Sequence, residues 1–189
     1  MKKIILSIAV LVAFVFCSEA QTQVKPGIGI NTTNITGDGL DASGQIGWQV
    51  GASVAFGRKF YIEPGVFYQT TSFEVAPVGN LPITDATYHG IRIPVAVGLD
   101  VLGNADSFAG LRVFGGGSTL LVTGTSSDLL DKDDIESPQW GAFAGVGLDI
   151  WIFYLDWTYQ WSLSNVQSNI RDIDFGRTRR IFWTLGLSF

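Results

Sequence analysis

The sequence contains one cysteine, one histidine and one methionine in 189 residues. One thiol cannot build a disulfide framework, and one imidazole beside it cannot complete a Cys/His zinc site. Charge is also scarce, at 15% of residues. Lys and Arg number 12 against 17 Asp and Glu, for a formal charge of −5 and a pI near 4.7. That balance leaves no basic face for general nucleic-acid binding. Beyond residue 16 the longest apolar run is Ile150 to Leu155, far short of the roughly 20 residues a membrane helix needs. Yet hydrophobic residues make up 47% of the chain and mean hydropathy is +0.29, too apolar for a disordered protein. Twenty-three glycines and 13% aromatics favour a β-rich architecture over a helical bundle, and the length suits one compact domain.

The first 20 residues read as an address. Met1-Lys2-Lys3 is a short basic segment, and Ile4 to Phe16 is apolar except for Ser7. Ser18-Glu19-Ala20 then places small residues at −3 and −1, so cleavage before Gln21 is expected. Cys17 would make a lipoprotein anchor only behind a small residue, and Phe16 is bulky. Residues 1–20 are therefore a removable signal peptide and 21–189 a single domain. Losing Lys2, Lys3 and Glu19 takes the formal charge from −5 to −6.

Alternation dominates what remains. Ile181, Trp183, Leu185, Leu187 and Phe189 interleave with Phe182, Thr184, Gly186 and Ser188. Upstream, the odd positions from Trp151 to Leu163 are all apolar or aromatic, against Asp156, Thr158, Gln160 and Ser162. A period of two over a dozen residues is strand, not helix. The same pattern predicts strands near 24–32, 44–57, 59–72, 88–101, 108–122, 138–150, 152–164 and 178–189, the first being the shortest. Eight strands of about 9–11 residues or more suit a transmembrane β-barrel, whose even count lets both termini share one side. Loop lengths agree. Residues 32–43, 73–88, 123–137 and 164–178 form long polar connections, whereas those at Gly57-Arg58-Lys59, Gly103 to Asp106 and Ile150-Trp151 are short. Outer-membrane barrels have long extracellular loops and short periplasmic turns, so both termini are expected in the periplasm.

A soluble eight-stranded barrel would point its apolar face inward. Here that face carries Trp48, Trp140, Trp151, Trp157, Trp161 and Trp183, more indole than so narrow an interior packs, and well suited to interfacial belts. Phe60, Trp151 and Phe189 are expected in the periplasmic belt, and Tyr68, Trp140, Trp161 and Tyr88 in the outer one, with Trp48, Trp157 and Trp183 on the same face. The reading is an all-β, eight-stranded antiparallel up-and-down barrel in the outer membrane.

Four segments, Phe60 to Tyr68, Ile91 to Val95, Gly145 to Asp149 with Leu155 to Tyr159, and Ser162 to Val166, together resemble strands of the PorT-like outer-membrane β-barrel proteins of Bacteroidetes. Phe60-Tyr61-Ile62-Glu63-Pro64-Gly65-Val66-Phe67-Tyr68 is similar to their aromatic "pEllY" strand, and Ile91-Arg92-Ile93-Pro94-Val95 to their "l.iPl" strand. Gly145 to Asp149 followed by Leu155 to Tyr159 resembles their "GvGld…ldlrY" pair, and Ser162 to Val166 their "GLtni" exit. Gln21 after the cleavage site suits the phylum, and Phe189 resembles the C-terminal signal read by the barrel-assembly machinery. The resemblance spans nearly all of residues 21–189. It departs where Gly65 replaces the usual Glu, with Glu63 two residues earlier. It implies fold and location more than activity; one branch of the family serves a secretion pathway.

The inward face is predicted to carry Lys25, Glu63, Arg92, Asp100, Arg112, Asp149 and Asp156, mostly in the periplasmic half, with Arg112 between the strands bearing Asp100 and Asp149. Charges there must pair, because lone buried charges are costly. Phe67, Phe114, Phe143 and Tyr154 should obstruct any conduit. His89, beside Tyr88 and Asp85, could serve as a base at the rim, but no Gly-x-Ser-x-Gly accompanies it and Ser72 or Ser126 would be arbitrary nucleophiles. Asp128, Asp131, Asp133, Asp134 and Glu136 could attract a cation but lack the Asp-x-Asp-x-Asp-Gly spacing. Arg171, Arg177, Arg179 and Arg180 could pair with that acidic loop or meet lipopolysaccharide phosphates. No catalytic, metal or cofactor-binding residue is expected. The expected role is structural or interactive, with outer-membrane lipid and lipopolysaccharide, the barrel-assembly machinery and a protein bound by extracellular loops as partners. A narrow solute channel, a secretion accessory and a rim lipid-modifying enzyme are the alternatives. The protein purified from membranes should have the intact mass of residues 21–189; a mass including residues 1–20 would refute the cleavage reading.

Overall fold

The computed structural model describes residues 21–37, 40–42, 46–75, 84–103, 108–125, 137–163 and 178–189. Its strands are β1 (Thr22–Gly37), β2 (Leu40–Ala42), β3 (Ile46–Gly57), β4 (Phe60–Val75), β5 (Thr84–Leu102), β6 (Ala109–Thr125), β7 (Gln139–Ile150), β8 (Phe153–Ser162) and β9 (Thr178–Leu187). All neighbours pair antiparallel in sequence order, and β1 closes on β9 through nine residue pairs from Gly27↔Gly186 to Ile35↔Thr178. Eight strands form the wall; β2 is a short flap on the far end of β1, from Ile35↔Ala42 to Gly37↔Leu40. Partners followed once around the wall lead from Asn31 through Phe182, Thr158, Gly145, Phe114, Gly98, Tyr61 and Gly57 to Gln21, ten residues earlier. Eight strands with such a stagger enclose a space just wide enough to be filled by side chains.

Burial is inverted relative to a soluble protein. Ile28, Trp48, Val66, Val97, Trp140, Trp183 and Leu185 face outward and are exposed, while Lys25, Gln49, Gln69, Arg92, Arg112 and Gln160 face inward and are buried. In β3 the alternation runs from exposed Ile46, Trp48 and Val50 against buried Gly47 and Gln49. An apolar exterior around a polar interior is stable only where the surrounding solvent is hydrocarbon, so the outer face is a lipid-contacting surface.

The strands outrun their hydrophobic signal. β1 is one of the longer strands at 16 residues, not the shortest, and β5 reaches 19. Residues 32–37, 73–75, 84–87 and 123–125, assigned above to loops, are strand. The reason is physical: beyond the hydrocarbon both faces of a strand meet water, so apolar alternation ends while the hydrogen-bond ladder continues. The flap β2 likewise lies inside the predicted 32–43 connection. The apolar turn is real: Trp151 and Ile152 join β7 to β8, and Trp151 sits at φ 55°, a left-handed conformation costing a non-glycine residue about 1 kcal/mol. Its N–H donates to the Phe108 carbonyl at 2.6 Å, tying two turns together.

Two glycines make room for the interior. A Cβ on Gly98 would fall within the Tyr61 ring, and one on Gly147 would sit 2.9 Å from the Arg112 guanidinium. Ile28, 63% exposed in mid-strand, offers a test of the outer face. Ile28→Lys should lower unfolding free energy in lipid bilayers by about 2–4 kcal/mol. A neutral result in a denaturant titration would mean that this face does not contact hydrocarbon.

Candidate functional site

The interior is built in two layers. The first lies toward the short turns and centres on Arg112 of β6. Its Nη2 is 2.6 Å from Asp156 Oδ1 on β8 and its Nε 2.7 Å from Asp149 Oδ2 on β7. Its Nη1 is 3.4 Å from Glu63 Oε2 on β4, which also meets Lys25 Nζ of β1 at 3.4 Å. Ser53 Oγ donates to the second Glu63 oxygen at 2.6 Å. Five charges from five strands thus form one network, set there by strand parity. Lys25 lies 4.4 Å from the centre of the Tyr154 ring, and the Tyr154 hydroxyl donates back to the Lys25 carbonyl.

Two of the seven inward charges stand apart from this network. Asp100 is the cross-strand partner of Arg112 yet makes no ion pair with it; it lines a small cavity of about 40 Å³ at the turn-side mouth with Arg58 and Asp149. Arg112 therefore leans toward β7 and β8 rather than bridging Asp100 and Asp149, drawn by two carboxylates on that side. Arg92, eight residues further along β5 from Asp100, belongs to the other layer. Its Nε donates to Gln160 Oε1 at 3.2 Å, and its guanidinium lies 4.3 Å from the Phe182 ring centre and 5.4 Å from that of Phe143.

This second layer, toward the long loops, is rich in amides and hydroxyls. Gln49 Nε2 donates to Thr184 Oγ1 at 2.7 Å, and Ser118 Oγ to Gln160 Oε1 at 3.1 Å. Arg180 is buried here, donating from Nη2 to the Tyr88 hydroxyl at 2.7 Å and to Gln139 Oε1 at 3.1 Å. Neither Arg180 nor Tyr88 has its expected place: Arg180 does not face loops or lipopolysaccharide, and Tyr88 is in the interior rather than the outer belt. Parity with Phe182 and Thr184 on β9 was the signal for Arg180; the basic cluster at residues 177–180 obscured it. Arg179 is on the exposed face, while Arg171, Arg177 and the acidic run 128–136 lie outside the described residues.

Above the turn-side network, Phe67, Phe143 and Phe182 are buried across the bore, while Tyr154 is buried within that network against Lys25. Phe114 is only partly buried. The space left beside Arg92 is about 50 Å³, room for a few waters or one solute of similar size.

On the outer wall, Trp48 and Tyr68 ring centres are 5.7 Å apart, and His89 stacks on Tyr68 at 6.1 Å and 10°. His89 thus stands in a lipid-side aromatic row rather than in a rim cleft; the Asp85, Ser72 and Ser126 side chains lie outside the described residues. Trp140 and Trp161 are exposed toward the loop end, and Phe60, Trp151 and Phe189, each at least 67% exposed, crowd the turn end with Phe108. Trp157 and Trp183 are cross-strand partners at the middle of β8 and β9, with ring centres 6.4 Å apart, so they lie between the two ends where belts form. Phe189 pairs with Val24 by two backbone hydrogen bonds of 2.9 and 3.0 Å.

A closed antiparallel eight-stranded barrel with a lipid-facing exterior and a charged, filled interior is the fold of the small outer-membrane barrels. Among solved structures, OprG from Pseudomonas aeruginosa is similar, with a TM-score of 0.54 at 13% identity, covering 89% of this chain and 94% of that one. Ail, the attachment invasion locus protein of Yersinia pestis, solved in complex with the heparin analogue sucrose octasulfate, has a TM-score of 0.52 at 13% identity, covering 89% and 99%. At such identity the likeness is one of fold. No family model matches the sequence, and no curated protein does.

Removing Arg112 strands Asp149 and Asp156 in the bore and leaves Glu63 to Lys25 alone. Arg112→Met should cost about 3–5 kcal/mol of unfolding free energy. In a double-mutant cycle with Asp156→Asn, the pair should cost less than the sum of the singles. Strict additivity would show that the two side chains do not interact.

Proposed function

We propose that this chain is a non-enzymatic integral protein of the outer membrane with a structural or interaction role. The observation that carries the reading is the filled bore: ion pairs at the turn end and buried aromatics at the waist leave no continuous path for solutes. Recognition then belongs to the extracellular connections. The termini lie beside the short connections, since the Gly57 N–H donates to the Gln21 carbonyl and Phe189 pairs with Val24. This supports periplasmic termini, because short turns face the periplasm in such barrels. The apolar exterior supports lipid and lipopolysaccharide as its surroundings.

Membership of the PorT-like group is part of the proposal. Its support is that the resembling segments fall in order on β4, β5, β7 and β8. Mild-detergent extraction, a native gel of the unheated complex and mass spectrometry of comigrating proteins test the role. Comigrating outer-membrane proteins at stoichiometric levels are expected; a lone monomer would refute the interaction reading and leave a self-sufficient structural barrel. In planar bilayers the purified protein should give no steps of ion conductance, and reproducible steps would replace this reading with a channel.

A further inference from the structure

The loop-side layer differs from the turn-side layer in one respect: its buried cations have no carboxylate partner among the described residues, whereas Lys25 and Arg112 both do. Arg92 and Arg180 are both buried, and both flank Gln160: Arg92 donates to its side chain, and Arg180 is its cross-strand partner. Among the described residues, neither guanidinium has a carboxylate within 4.0 Å, whereas Arg112 has three. Glu63 and Asp156 border the cavity beside Arg92 but are engaged by Lys25 and Arg112. Two like charges in a medium of low dielectric need a counter-charge.

The same layer also holds unused hydrogen-bonding groups. Among the described residues, Arg180 Nε, both ends of the Gln69 amide, and the hydroxyls of Thr33 and Thr71 are buried without hydrogen-bond partners. Thr33 is the cross-strand partner of Arg180. Gln69 pairs across β4 and β5 with Gly90, two residues from Arg92 on the same face. Unsatisfied buried groups on this scale imply a polar occupant. The two unneutralised guanidiniums make that occupant an anion rather than water alone, and the planar N–H forks suit an oxyanion. The bare acceptors Asn31 Oδ1 and Gln49 Oε1 require a donor, so the anion comes with water.

We infer that the loop-side half of the bore binds a small free oxyanion of the phosphate or sulfate class, held by Arg92 and Arg180 with Gln69, Thr33 and Thr71. The strands separate this site from the lipid, so headgroup phosphates do not reach it.

The test uses the mature protein refolded in zwitterionic detergent, titrated with inorganic phosphate or sulfate at constant ionic strength and followed by calorimetry. Saturable binding is expected, weakened at least tenfold in Arg92→Gln and in Arg180→Gln and unchanged in the exposed Arg179→Gln. Unheated gel mobility reports whether each variant is a closed barrel. Absence of saturable binding to the wild type, or equal binding by folded variants, overturns the proposal. Should both variants fail to fold, crystals of the wild type soaked in selenate decide the matter: anomalous density between Arg92 and Arg180 supports the site, and density only elsewhere overturns it.

Discussion

The structure depends on one constraint: in hydrocarbon, no backbone N–H or C=O can be left without a partner. A sheet meets that demand only by closing on itself, and here β1 closes on β9. Closure with a ten-residue stagger fixes the bore, which in turn fixes what must fill it. Glycines at 98 and 147 are required because Tyr61 and Arg112 occupy the space a Cβ would take. Pro64 and Pro94 lie in the wall without an N–H to donate, and the ladders skip there, between Ser53↔Gly65 and Phe56↔Ile62 and between Pro64↔Val95 and Phe67↔Arg92. The long neighbouring ladders hold those strands in place.

Inside, polarity is sorted along the axis. The turn-side layer is a dense exchange of charge around Arg112, in which each carboxylate that meets a cation is also held by geometry from a different strand. Such a network contributes little net stability compared with an apolar core. In a membrane barrel its value lies elsewhere: it satisfies inward-facing groups that must not face lipid and ties non-adjacent strands together across the bore. The loop-side layer uses amides instead. Amides tolerate partial hydration, and among the described residues no carboxylate cancels the positive charge of Arg92 and Arg180 in this layer. Phe67, Phe143 and Phe182 crowd the boundary between the two layers, and the small cavity left there touches both.

Much of this was legible from the residues alone. In mid-strand, period-two patterning separates the outward side chains from the inward ones, because the pleat leaves no other choice; Tyr88 and Arg180, near the rim, escape it. It falls short where the physical cause of the pattern stops. Thr84 to Thr87 and Thr123 to Thr125 continue their strands in water, where no apolar alternation marks them. Arg180 and Tyr88 were hidden for the same reason: near a rim, a polar residue looks like loop.

The sequence by itself determined the wall: strand count, faces, turn positions and the inverted polarity that demands a membrane, all of them consequences of local spacing. Tertiary structure alone decided the partners. Which of Asp100, Asp149 and Asp156 reaches Arg112, and that Arg92 shares Gln160 with Arg180, follows from register and stagger between strands dozens of residues apart. Local chemistry cannot encode that relation until the barrel closes.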